Sequence, residues 1–222
     1  MRRVVMREAK LNLKRRQLGV GLLGLSALGA CPAAWAQGFD EGIDYRVLRQ
    51  AVATASADKI EVLEFFWYGC PHCKSFEGPL ASWKASLAKD VVFRKVHVPF
   101  REETHQRLFY SLESMGIAEK LASKIFEAIH VERKPLLSIE DQKGFAKANG
   151  IDPARYEKAW MSFSVQSQMK RANALMQAYR IDGVPQLAVN GRYVTSPSMV
   201  GGNHQRALAV VDYLVNKERK AG

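Results

Sequence analysis

Between Ile60 and Phe66 the apolar residues Val62, Leu63, Phe65 and Phe66 are interrupted only by Glu61 and Glu64. A short run of this kind predicts a buried strand. Past Cys73 the spacing changes. Phe76, Leu80, Trp83 and Leu87 recur every three to four residues, the period of a helix with one buried face. Gly78-Pro79 falls inside that helix and predicts a kink, because proline has no N–H to donate. Val91 to Val98 is the next strand. Strand, helix, strand is the βαβ pattern and predicts parallel pairing.

From Arg101 to Tyr179 the pattern is helical throughout. Ala118, Leu121, Ala122, Ile125 and Ile129 mark one helix, and Ser138 to Ala148 a second, ended by Asn149-Gly150. Asp152-Pro153 opens a third, with aspartate as cap and proline in the first turn. Val165, Met169, Ala172, Met176 and Tyr179 mark a fourth. Strands return at Gln186–Val189 and Arg192–Thr195, joined by Asn190-Gly191, a strong hairpin signal. Ala207, Val210, Val211, Leu214 and Val215 give a closing amphipathic helix. Ahead of all this, Tyr45 to Leu48 predicts a short edge strand, and Ala51 to Lys59 a loop.

The candidate chemistry lies where the first strand hands over to the helix, in Gly69-Cys70-Pro71-His72-Cys73. Backbone N–H groups at a helix N-terminus lack internal partners and favour negative charge. A thiolate is such a charge, so the position lowers the pKa of Cys70 and makes it reactive. A structural zinc would need four ligands, usually two cysteine pairs. The only other cysteine is Cys31, and the five histidines show no ligand spacing. The strand-to-helix context favours a redox pair, with no metal.

Composition changes the picture at the N-terminus. The 222 residues carry 33 Lys and Arg against 22 Asp and Glu, a formal charge of +11. Seven basic residues and one acid stand in the first 36. A basic start, an apolar run from Leu18 to Ala30 and Ala34-Trp35-Ala36 predict a secretory signal peptide over residues 1–36. The apolar run is short for a membrane span. Leu28-Gly29-Ala30-Cys31 offers a competing lipoprotein site, and Arg15-Arg16 a hint of twin-arginine export. Cleavage after Ala36 leaves a charge of about +5, with Lys and Arg scattered rather than clustered. That is no footprint for nucleic acid. Outside the cytoplasm the two remaining cysteines can hold a disulfide.

Leu63-Glu64-Phe65-Phe66, Cys70-Pro71-His72-Cys73, Phe76-Glu77, Lys95-Val96-His97-Val98, Gly183-Val184-Pro185 and Val189-Asn190-Gly191 together resemble the DsbA family of periplasmic disulfide oxidoreductases. The resemblance implies an α/β thioredoxin fold with an inserted helical subdomain. Residues 37–100 and 180–222 would form the thioredoxin-like domain and 101–179 the insertion. It implies catalytic roles for Cys70, Cys73, Pro71 and His72: Cys70 as exposed nucleophile, Cys73 as buried partner, and His72 as stabiliser of the Cys70 thiolate. Val184 and Pro185, the latter expected cis, would receive an extended substrate. Glu64 would be the acid beneath the site, with Lys95 its neighbour, while Glu77 reads as a solvated helix acid. Gly69 departs from the pattern without explanation.

The function implied is a dithiol oxidase that needs no cofactor beyond the redox-active Cys70–Cys73 disulfide. It would be a monomer oxidising newly exported, reduced, unfolded proteins, and a quinone-linked membrane protein of the DsbB type would reoxidise it. Two alternatives stay open. One is a reductase or isomerase of the same fold, although no dimerisation domain precedes Ile60. The other is an exported metal-binding or scaffold module using Cys70, Cys73 and a histidine.

Overall fold

The structure, a computed structural model, describes residues 38–221. The signal-peptide and Cys31 expectations lie outside the described residues. Five strands form one sheet: β1 Arg46–Val47, β2 Ile60–Phe66, β3 Val91–His97, β4 Gln186–Val189 and β5 Tyr193–Thr195. Their spatial order is β1-β5-β4-β2-β3. β2 and β3 run parallel, as the βαβ pattern predicts, with Glu64 opposite Lys95. β4 returns antiparallel along the other side of β2. The edge strand β1 pairs antiparallel with β5 and is shorter than the expected Tyr45–Leu48.

Val189 pairs with Tyr193, so three residues join β4 and β5, and Asn190 and Gly191 both take positive φ, 47° and 70°, to make the tight left-handed turn. Gly191 is glycine for a second reason. A Cβ there would sit 2.0 Å from the carbonyl oxygen of Val52, where the 51–59 loop docks on the hairpin.

Among the described residues seven α-helices cover the sheet: α1 Pro71–Ala85, α2 Thr104–Ser114, α3 Ala118–His130, α4 Ile139–Ala148, α5 Pro153–Trp160, α6 Phe163–Ala178 and α7 His204–Ala221. On one face of the sheet, Val62, Leu187 and Val189 meet Phe76, Leu80 and Trp83 of α1 and the apolar stripe of α7. On the other, Leu63, Phe65, Ala188 and Val194 meet Leu108, Leu112, Ile125, Phe126, Val165 and Tyr179 of the α2–α6 segment. Strand β2 is thus buried from both sides. Each large apolar side chain fully buried there contributes roughly 1.5–3 kcal/mol. The same burial makes any charge on β2 expensive unless it is paired.

α1 continues through Gly78-Pro79, with Pro79 inside the helix. The carbonyl that proline leaves without a donor belongs to Ser75, which is exposed, so water can satisfy it. α4, α5 and α6 each begin at a side-chain cap: Ser138, Asp152 and Ser162 accept backbone N–H groups of their first turns.

Candidate active site

Cys70 is the N-cap of α1, and Pro71 occupies the first turn, where its missing N–H costs nothing. The Cys70 Sγ accepts the Cys73 backbone N–H at 3.4 Å and lies 3.5 Å from the Val184 carbonyl oxygen. The Val184–Pro185 peptide bond is cis. This bond and the pair of cysteines come together from residues more than a hundred apart in sequence.

The two sulfurs occupy unlike surroundings. Contact with Cys73 and the N–H groups of Cys73 and His72 hold the Cys70 thiol down at about 6, against burial, and the nearby His72 adds to the effect. Burial above all, then the Cys70 and Glu64 charges, push the Cys73 thiol far up. At neutral pH one sulfur is a thiolate and the other a thiol. Cys73 is 0% exposed and Cys70 only 7%. Cys70 is therefore not the open surface nucleophile that the family resemblance implies. It sits in a recess, and it is the more accessible of the two. Pro71 and His72 are exposed at the helix tip.

Below the cysteines, the Glu64 carboxylate is 3.3 Å from Lys95 Nζ, an ion-pair distance. Neither of its oxygens takes a directed hydrogen bond among the described residues. Burial raises the Glu64 pKa well above the ordinary carboxylate range, and Lys95 only partly offsets this. Lys95 is held in its charged form by both Glu64 and Glu77, and its Nζ also lies 4.7 Å from the centre of the Phe66 ring. Glu77 is not a solvated helix acid. It forms a close ion pair with Lys95, bringing a second carboxylate into the charged cluster under Cys73. Glu77 lies four residues after Cys73, on the same helix face, and that spacing was the signal available.

Other neighbours have no sequence signature. The Trp67 indole folds back over Gly69, where a Cβ would stand 2.3 Å from a ring carbon. Gly69 is glycine because the indole occupies the place of its side chain. Trp67 Nε1 donates to Glu102 at 3.2 Å. Glu102 also accepts the N–H groups of Thr104 and His105 at the start of α2. Its pKa falls to about 2: burial opposes this, and the bonds from His105 and Trp67 outweigh it. Tyr68 is gripped from both sides, its N–H donating to His97 Nε2 at 3.1 Å and its carbonyl accepting from His130 Nε2 at 2.7 Å. His97 must therefore carry its proton on Nδ1, and burial keeps it neutral by lowering its pKa strongly. These contacts tie α2 and α3 to the residues that enter the cysteine loop.

A thioredoxin-type sheet, with a low-pKa cysteine capping α1 beside a cis-proline turn, defines a thiol:disulfide oxidoreductase. Comparison with known proteins narrows the class. Residues 61–210 match the family model described as a DSBA-like thioredoxin domain. The thiol:disulfide interchange protein DsbA of Azotobacter vinelandii is 43% identical over 182 residues, 81% of this chain and 85% of that one. The DsbA of Bordetella pertussis is 38% identical over 90% of this chain and 96% of that one. Among solved structures, Pseudomonas aeruginosa DsbA superposes with a TM-score of 0.78 at 36% identity, covering 82% of this chain and 96% of that one. The DsbA of Xylella fastidiosa gives 0.74 at 32%, covering 80% and 96%. The chain belongs to the DsbA family of thiol:disulfide oxidoreductases.

Proposed function

We propose that the chain is an exported oxidant that donates a Cys70–Cys73 disulfide to reduced, newly secreted proteins. The observation that carries this reading is the asymmetry of the two sulfurs: a thiolate-favouring Cys70 at the tip of α1 and a buried Cys73 whose thiolate is disfavoured. A substrate thiolate attacks Cys70 Sγ of the disulfide. The Cys70–Cys73 bond breaks, and Cys73 leaves with the electron pair and takes up a proton. A second substrate thiolate then attacks the substrate sulfur of the mixed disulfide. A disulfide forms in the substrate, and Cys70 leaves as a thiolate. Two electrons pass from substrate to enzyme. A low-pKa leaving group departs faster, so the stabilised Cys70 thiolate drives the disulfide outward.

In this reading Glu64, with Lys95 and Glu77, exchanges the proton of Cys73. His72 and Pro71 shape the helix tip, and Val184 and Pro185 present backbone to the extended substrate. Residues 37–100 and 180–222 form the thioredoxin-like unit, and 101–179 the helical insertion. No cofactor is needed. Residues 1–36 direct export to the periplasm, the enzyme works as a monomer, and a quinone-linked membrane protein of the DsbB type restores the disulfide. No described helix is long and apolar enough to cross a membrane.

The test uses the purified, oxidised, mature protein and a reduced, unfolded substrate with two cysteines. Wild type should form the substrate disulfide, and Cys70→Ser should abolish it. Cys73→Ser should instead accumulate a mixed disulfide through Cys70, read by mass spectrometry. Full activity in Cys70→Ser would overturn the mechanism. A couple that reduces disulfides under the same conditions would favour the reductase alternative.

A further inference from the structure

On the insertion side of Cys70 lies a hollow of about 440 Å³ that the chemistry above does not use. Trp67, Ile129, Pro135 and Leu137 give it apolar walls, and Arg101 and Arg133 stand at its rim. Trp67 links it to the nucleophile. The Trp67 carbonyl accepts the Cys70 N–H at 3.0 Å, and the Trp67 indole covers Gly69. Val184, in the turn before β4, meets the same sulfur.

The loop that forms the far wall, residues 131–137, is held in an uncommon shape. Arg133 and Leu136 both take left-handed backbone, φ 57° and 52°, without being glycine. Such conformations persist only where surrounding contacts impose them, and they gather at binding and catalytic sites. Here the contacts are visible. His105 Nε2 donates to the Pro135 carbonyl at 2.6 Å, Gln142 Nε2 to the Leu136 carbonyl at 2.9 Å, and the Lys134 N–H to the Ala128 carbonyl at 2.8 Å. The outcome is that Leu137, in the wall of the hollow, stays 49% exposed.

Arg101 and Arg133 outnumber the one carboxylate in the lining, Glu102, so the hollow is net positive. The Glu102 carboxylate is turned to Trp67 and to the first turn of α2. In the loop itself, Lys134 pairs with Glu132 at 2.7 Å. Arg101 and Arg133 are exposed and have no ion-pair partner among the described residues.

We propose that this hollow is a substrate subsite, receiving the stretch of reduced polypeptide on the insertion side of the attacking cysteine. It selects a large apolar side chain with a carboxylate beside it. The apolar group packs on Trp67 and Leu137, and the carboxylate meets Arg101 and Arg133. The proposal rests on the oxidase reading above and adds a sequence preference to it.

Three reduced two-cysteine peptides test it, with Phe-Glu, Phe-Lys or Ala-Ala beside the first cysteine. Their oxidation by the mature protein is followed at low and high salt. Phe-Glu should react roughly tenfold faster than Phe-Lys at low salt, the size of a modest electrostatic steering effect. The ratio should approach one near 1 M salt, where charges are screened within about 3 Å. Ala-Ala should be slower than Phe-Glu at either salt. Combined Arg101→Glu and Arg133→Glu should invert the charge preference, and the Phe-Lys rate then shows that the variant is folded and oxidising. Equal rates for the three peptides in wild type would overturn the subsite and leave the oxidase reading standing. Oxidation of none would overturn both. A wild-type dimer broken by Leu137→Asp would assign the hollow to a second copy of the chain and overturn the proposal.

Discussion

At the hairpin end of β2, Glu61 Oε1 accepts two hydrogen bonds from Arg94 and one from the Ala55 N–H. Nearby, Glu218 of α7 accepts from Asn190, Arg192 and Tyr193, fixing the β4–β5 hairpin to the helix. At the cysteine end, four side chains leave buried polar atoms without a hydrogen bond among the described residues: both oxygens of Glu64, the Tyr68 hydroxyl, His97 Nδ1 and Gln186 Oε1. Glu61 and Glu64 are on one strand and are 2% and 0% exposed, so burial does not separate them. Partnering does. A buried polar group left unpaired costs about 1–3 kcal/mol. Proteins tolerate that cost mainly where function requires it. The hairpin end holds the fold together, and the cysteine end gives up stability for reactivity.

The largest test of this contrast compares the two redox forms. The unfolded Cys70 thiol titrates near about 8.5, and folding lowers it to about 6. A lowered pKa means the fold favours the thiolate. That stabilisation is complete above the unfolded value and is lost as pH falls through about 6. Between those values it changes by at most about 1.4 kcal/mol per pH unit, less where water screens the sulfur. A disulfide gains nothing from it, and closing so short a loop constrains the unfolded chain little. The reduced protein should therefore be the more stable form at pH 7–8, with the gap shrinking on acidification, as read from denaturant melts. His72→Pro removes one N–H and the imidazole from the thiolate and should narrow the gap. An oxidised form more stable at pH 7 would remove the contrast at its most reactive point.

Next in size is the pair of glutamates. Glu61→Ala should cost about 2–3 kcal/mol, somewhat below the usual loss for breaking a buried pair, because half-exposed Arg94 can rehydrate. Its rate of thiol exchange should match wild type. Glu64→Gln should change stability by no more than about 1 kcal/mol, and towards greater stability, since Lys95 keeps Glu77 as partner. The sign has a pH signature. Glu64 has its pKa raised by folding, so its protonated form is favoured. That contribution is present below the unfolded value of about 4.3 and is lost as pH rises through the higher folded value. The advantage of Glu64→Gln over wild type should thus grow between acid and neutral pH. An equal stability loss in both variants would show that Glu64 is a structural ion pair like Glu61.

Much of this was legible in the sequence, and the gaps have physical causes. Periodicity located β2, α1, the hairpin and α7, because each has one apolar period and clear stop signals. Cys70, Cys73 and the cis Val184–Pro185 bond lie together, a proximity that only the family resemblance implied. Strand ends were less sharp: β1 stops short of Tyr45 and Leu48 and β5 short of Arg192, although the Leu48 N–H still donates to the Arg192 carbonyl. Glu77 was legible through its four-residue spacing from Cys73 but was read as solvated. Glu102, His130 and the reason for Gly69 were not legible. His130 reaches Tyr68 across 62 residues, and Gly69 is explained only by an indole that folds back over it. Such contacts depend on how the insertion docks, which no local pattern encodes.

The smallest expected effect is also the most direct probe, since one substitution can be made at both ends. Tyr193 donates its hydroxyl to Glu218 at 3.1 Å, while the Tyr68 hydroxyl is buried with no partner among the described residues. Both rings are packed, so removing the oxygen alone leaves the apolar contacts in place. Tyr193→Phe forfeits a hydrogen bond to a carboxylate and leaves that carboxylate short of a donor. The loss should be about 1 kcal/mol, and more if the group is charged throughout. Tyr68→Phe removes a desolvated hydroxyl that receives nothing in return, so stability should hold or rise by up to about 1 kcal/mol. Chemical denaturation of the two variants in the same redox state measures both. Equal losses would mean that the Tyr68 hydroxyl has a partner in solution, such as a water in the cavity it borders. The cysteine end would then be as well satisfied as the hairpin end.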